Sequence, residues 1–138
     1  MIRKIAITIK DRERILQLIE KEREFGTGRN QEYLKDLEQE LKRANIVSSE
    51  NIPHDSITMN SRILLKDLDL GEETVYTLVY PEDADVAENK ISVLAPIGTA
   101  ILGFREGDII DWKVPGGIVK IRVEKIIYQP EANGHYDL

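Results

Sequence analysis

The run from Ile91 to Ile126, ISVLAPIGTAILGFREGDIIDWKVPGGIVKIRVEKI, constrains the fold more than any other part of this 138-residue chain. Its branched apolar residues come in short bursts cut by Pro96, Gly103, Gly107 and Pro115-Gly116-Gly117. That pattern predicts strand, short helix, tight loop, strand, glycine turn and strand. No residue type suited to catalysis sits at its heart. A segment of this kind packs and docks, so the chain reads as a protein that binds something.

Composition removes several other classes. The length suits one ordinary core, or a small domain with an appendage. The chain has no cysteine, which excludes disulfides and thiolate metal sites. No apolar run approaches the roughly 20 residues that span a bilayer, and the start, MIRKIAITIKDRER, is broken by charge too early for a secretory signal. A cytoplasmic protein without a membrane partner is expected. The net charge of −6 argues against direct nucleic-acid binding, which needs clustered Lys and Arg.

Charge divides the chain in two. Residues 1–50 carry 11 Lys and Arg against 10 Asp and Glu, whereas residues 51–138 carry 8 against 15. Density in both signs suits a solvated helical hairpin, and the remainder is an acidic body. The polar stretch Ser48-Ser49-Glu50-Asn51-Ile52-Pro53 marks the cut, giving units 1–47 and 48–138. In the first unit Ile5, Ile7 and Ile9 alternate as in a short strand, while Thr8 followed by Asp11 equally reads as a helix N-cap. Ile15, Leu16, Leu18 and Ile19 lie on one side of a helix that runs to about Glu24. Phe25-Gly26-Thr27-Gly28-Arg29 breaks it, Asn30 caps a second helix, and Leu34, Leu37, Leu41 and Ala44 form a heptad-like seam. Two helices of about 14 residues, each roughly 21 Å long, make an antiparallel hairpin.

The second unit is mostly β. Ser56–Leu65, Thr74–Tyr80, Lys90–Leu94, Ile109–Val114 and Ile118–Ile127 read as strands. The acidic Pro81–Asp85 stretch is a solvated loop rather than a metal site, and Pro96 opens a short helix through Leu102. The fold class is α+β: a short N-terminal coiled-coil hairpin plus an antiparallel sheet domain with one short helix.

Ser92-x-x-Ala95-Pro96-Ile97-Gly98, Ala100-Ile101-Leu102-Gly103, Gly107-Asp108 and Pro115-Gly116-Gly117, preceded by Thr77-Leu78-Val79-Tyr80-Pro81, resemble the Gre-factor superfamily of bacterial transcription factors. Pro53-His54-Asp55, Thr58-Met59-Asn60-Ser61-Arg62, Trp112 and Tyr128-Gln129-Pro130-Glu131-Ala132 are similar, more narrowly, to its Rnk (regulator of nucleoside diphosphate kinase) branch. The resemblance covers essentially all of residues 46–138. It implies an FKBP-like C-terminal domain and RNA polymerase as partner, approached through its secondary channel.

In Gre factors a serine-proline loop grips a coiled-coil projection of the polymerase. Carried over by position, Leu94, Ala95, Pro96 and Ile97 become the docking candidates, although they serve equally well as a helix N-terminus covering the sheet. Ala95 stands where the Gre pattern has serine, which removes a hydroxyl able to cap the following helix. Gre factors stimulate transcript cleavage with a pair of acids at the hairpin tip that help hold magnesium. Here the tip is Gly26, Thr27, Gly28 and Arg29, and the acid positions fall on Gly26 and Arg29, neither of which ligates a cation. Glu22, Glu24 and Glu32 are the nearest substitutes, and solvated helix charges are the plainer reading of them.

The remaining constellations are thin. His54-Asp55 lacks a marked nucleophile and fits a loop hydrogen bond, and Trp112 and Phe104 fit sheet packing better than a ligand groove. The chain is therefore expected to be a non-enzymatic regulator without metal or cofactor that binds RNA polymerase near its secondary channel and competes with Gre factors. The alternatives are a cleavage factor using displaced acids, and an FKBP-like prolyl isomerase, an activity that fold alone does not carry.

Overall fold

The structure, a computed structural model, describes residues 5–25 and 31–135. Both readings of the N-terminus hold at once. Ala6–Thr8 forms strand β1 and Ile9–Phe25 forms helix α1, with Thr8 Oγ1 accepting the Asp11 amide at 3.1 Å. A hydroxyl at this point satisfies one of the donors that a helix start leaves unpaired. Gln31–Arg43 forms α2, and Leu34, Leu37 and Leu41, spaced by three and four residues, are buried on one face. The helices run 17 and 13 residues rather than two of about 14.

Arg12 Nε donates to the Leu41 carbonyl at 3.1 Å, occupying one of the acceptors exposed at the end of α2. Asn45–Val47 then forms β2, paired in parallel with β1 in the register Ile7↔Ile46. Three residues carry too little pattern to announce a strand. A partner 39 residues earlier supplies the pairing instead.

The body is one five-stranded sheet. Its strands are β3 (Arg62–Asp67), β4 (Glu73–Val79), β5 (Lys90–Ser92), β6 (Ile109–Val114) and β7 (Gly117–Tyr128), in the order β5-β4-β3-β7-β6. Helix α3 (Pro96–Ile101) interrupts them as expected. The sheet is mixed rather than wholly antiparallel, because β4 and β5 pair in parallel with Thr77 opposite Lys90. Between them, 3-10 turns at Pro81–Asp83 and Val86–Glu88 and a left-handed Asn89 return the chain to the start of the paired segment.

The expected strand over Ser56–Leu65 begins only at Arg62. Ser56, Ile57, Thr58 and Met59 are all buried, with no alternation. This stretch threads through the interior, held by Ile57 N to Phe104 O at 2.8 Å and Gly103 N to Ile57 O at 3.0 Å, and it turns at Asn60 with φ of 65°. Its branched residues serve the core, not a ladder.

A single hydrophobic cluster runs across the 47/48 boundary. Ile15, Ile19, Leu37 and Leu41 of the hairpin join Ile57, Met59, Leu78 and Ile101 of the body. Gly103 marks how close the halves come. Its φ is +81°, and a Cβ there would lie 2.4 Å from Cβ of Ile5.

Candidate functional site

The segment after β5 is built to present a small apolar knuckle. Ser92 Oγ accepts the Leu94 amide at 3.1 Å, and the Ser92 carbonyl accepts the Ala95 amide at 3.0 Å. Pro96 then begins α3, its fixed φ and missing N–H suited to a first helical turn. Ala95 provides no side-chain cap, as its methyl group dictates, but its carbonyl accepts the Thr99 amide at 2.9 Å. Thr99 Oγ1 donates to the Pro96 carbonyl at 2.9 Å. Gly98 is required: a Cβ there would sit 2.0 Å from the Ser92 carbonyl oxygen.

Leu94, Ala95, Pro96 and Ile97 are consequently half-buried together, and Leu94 and Ile97 also pack on the main core. The knuckle is held from beneath by that packing, and each of its four residues keeps part of its surface exposed. The tip residues Gly26, Thr27, Gly28 and Arg29 lie outside the described residues. Of the acids flanking the tip, Glu24 and Glu32 are exposed and Glu22 is half-buried.

Other candidates resolve into structure. Asp55 pairs with Arg105, through Nε at 3.0 Å and Nη2 at 2.8 Å, while His54 is exposed. His135 hydrogen-bonds the Tyr128 hydroxyl and leans over its ring. Among the described residues no group of three His, Cys, Asp or Glu side chains is placed to hold a metal ion. Trp112 and Phe104 pack against the core, with Trp112 Nε1 buried and unpartnered among the described residues. The sequence pieces around 53–62 and 128–132 converge in space. Gln129 Nε2 donates to the carbonyls of Pro53 and Ser56 at 2.8 and 2.7 Å, and Thr58 Oγ1 donates to Glu131 Oε1 at 2.8 Å. They form a brace, not a surface site.

Sequence reasoning treated Asp11 as a helix-start residue and missed its other role. The residue is 2 % exposed. Oδ1 accepts the Tyr80 hydroxyl at 3.0 Å, and Oδ2 accepts the Met59 amide at 3.4 Å. Burial raises the Asp11 pKa above the ordinary carboxylate value, Glu131 adds to the rise, and hydrogen bonds with Tyr80, Met59 and Thr8 oppose it. Burial and the nearby Asp11 likewise push the Tyr80 hydroxyl upward. The Arg14 guanidinium lies 3.8 Å from the Tyr80 ring centroid and 3.8 Å from Glu82. A cleft of about 500 Å³ opens beside it, between α1 and the Tyr80–Glu82 corner. The only sequence hint was Asp11 on the apolar side of α1, four residues before Ile15.

Comparison with known proteins agrees with this architecture. Residues 52–128 match the family described as "Transcription elongation factor, GreA/GreB, C-term", and residues 3–47 match "Rnk N-terminus". The "Regulator of nucleoside diphosphate kinase" of Escherichia coli (strain K12) is 48 % identical over 101 residues, covering 72 % of this chain and 74 % of that protein. The "Transcription elongation factor GreA" of Chloroherpeton thalassium is 44 % identical over 90 residues, 65 % of this chain but 57 % of that protein. Among solved structures, the "Prokaryotic transcription elongation factor GreA/GreB from Nitrosomonas europaea" superposes with a TM-score of 0.75 at 40 % identity, covering 91 % of this chain and 100 % of that one. With a hairpin and a mixed-sheet body each matched in its own right, the chain belongs to the GreA/GreB transcription elongation factor family, in its Rnk branch.

Proposed function

We propose that this protein is a non-enzymatic regulator that docks on RNA polymerase near the secondary channel through Leu94, Ala95, Pro96 and Ile97. Its short hairpin then occupies the channel mouth without stimulating transcript cleavage, in competition with Gre factors. The observation that carries the reading is the apolar knuckle, fixed by Ser92 and Gly98 and continuous with the core. The absence of cleavage rests on the sequence of the tip, where Gly26 and Arg29 stand at the acid positions. It rests also on reach, since 17 helical residues span roughly 25 Å.

Pull-down of polymerase tests the docking. Pro96→Asp places a charge in the knuckle at a position whose backbone donates no hydrogen bond. It is expected to abolish co-purification while leaving the circular dichroism spectrum unchanged, and retained binding would move the docking site elsewhere. A cleavage assay on stalled elongation complexes tests the rest. No stimulation is expected, and strong stimulation lost on Glu24→Ala or Glu32→Ala would establish a cleavage factor instead.

A further inference from the structure

Asp11 joins the two halves of the molecule. It lies in the first turn of α1, next to Thr8, and two of its donors come from the body: Tyr80 at the end of β4 and Met59 in the threaded segment before β3. Asp11 is 2 % exposed, and among the described residues no cation forms an ion pair with it. The groups facing it are few. Tyr80 comes from the sheet and Glu131 from the C-terminal turn, the latter anchored through Thr58, next to Met59. Arg14 of α1 approaches only as far as the Tyr80 ring and is shared with Glu82 of the 81–83 turn. Its hydrogen bonds favour the ionised form, but burial without a counter-ion and a second carboxyl nearby outweigh them, so the carboxyl is held more easily neutral than ionised.

We propose that the Asp11–Tyr80 contact is a pH-sensitive latch at the base of the hairpin, closed more tightly when the Asp11 carboxyl is protonated and loosened as it ionises. The sign follows from linkage. In the opened state Asp11 is hydrated and titrates near the ordinary 3.8, whereas in the closed state it holds its proton to higher pH. Closure is therefore favoured fully below the ordinary value and weakens as pH rises through the closed-state value. The latch adds a control on hairpin placement to the proposed docking, and its test on the free chain is independent of any partner.

Amide hydrogen exchange on the full chain, corrected for intrinsic exchange, reads the opening of the first turns of α1. In the wild type, opening is expected to increase by up to about tenfold per pH unit across the window, the limit for one ionising group. Asp11→Asn should flatten the profile at or below the wild-type opening. Glu131→Gln removes the neighbouring negative charge without touching Asp11, so it should keep the pH dependence but shift its midpoint towards acid. A wild-type profile that is flat, an Asp11→Asn profile that parallels the wild type, or a Glu131→Gln midpoint that is unmoved or shifted to higher pH overturns the latch. The Glu131→Gln readout stands even if Asp11→Asn does not fold.

Discussion

Arg23 near the end of α1 grips Glu38 of α2 with both guanidinium arms, Nη1 to Oε2 at 2.8 Å and Nη2 to Oε1 at 3.0 Å, and so ties the hairpin together across 15 residues of sequence. The Arg23 hydrogen bond, and then its charge and that of Lys42, hold the Glu38 carboxyl below its ordinary value. A depressed carboxylate contributes stability above its unfolded pKa and loses it as pH falls through the folded value. Arg23→Ala should raise the Glu38 pKa towards the ordinary 4.5 in an NMR titration. It should also lower the thermal midpoint slightly at neutral pH, a difference that fades in acid and at about 1 M salt, where exposed pairs are screened.

Gly98→Ala tests the knuckle. The added Cβ meets the Ser92 carbonyl at 2.0 Å, and backbone cannot yield as a side chain can. Overpacking of this kind costs about 1–3 kcal/mol, measurable by urea unfolding. The same variant should weaken polymerase capture by displacing Leu94–Ile97 from the Ser92 turn. A loss below a few tenths of a kcal/mol would show that the segment is not held as described.

Leu41→Ala tests whether hairpin and body share one core. Leu41 is fully buried in α2, within the cluster that includes Ile57 and Met59. The truncation should cost about 2–5 kcal/mol. Trp112, the single tryptophan, lies in the body and reports that half alone. Its fluorescence transition should shift together with the helical signal at 222 nm. A shift in the helical signal only would mean two separately folding units.

Thr8→Val keeps the shape of the buried side chain and removes the oxygen that accepts the Asp11 amide. Loss of an N-cap hydroxyl is expected to destabilise by about 1 kcal/mol. Hydrogen exchange should place the loss in the first turn of α1, with the Asp11 amide losing protection most. Uniform loss across the chain would argue that the cap is not local.

Much of the fold was legible because short-range patterns carry it. The Leu34–Leu37–Leu41 spacing, the Thr8 cap, Pro96 at the start of α3 and the glycine turn before β7 each need only neighbouring residues. Strand β2 and the parallel pairing of β5 escaped notice because three-residue strands take their identity from distant partners. The 56–61 segment misled because buried branched residues look alike in a strand and in a threaded core turn. The knuckle could be placed by resemblance to a family, but the hold of Ser92 and Gly98 on it required coordinates.

By itself the sequence determined the hairpin seam, the Thr8 cap, the start of α3 and the main strands, because residue identity and local spacing decide those, and resemblance to a family singled out Leu94–Ile97, Gly26 and Arg29. Only the tertiary structure decided the fate of Asp11. In the sequence Asp11 reads as part of a helix start, and only in the fold do Tyr80, Met59 and Glu131, from 48 to 120 residues away, close around it. Burial and long-range hydrogen bonding set its protonation, and neither is written in the sequence near it.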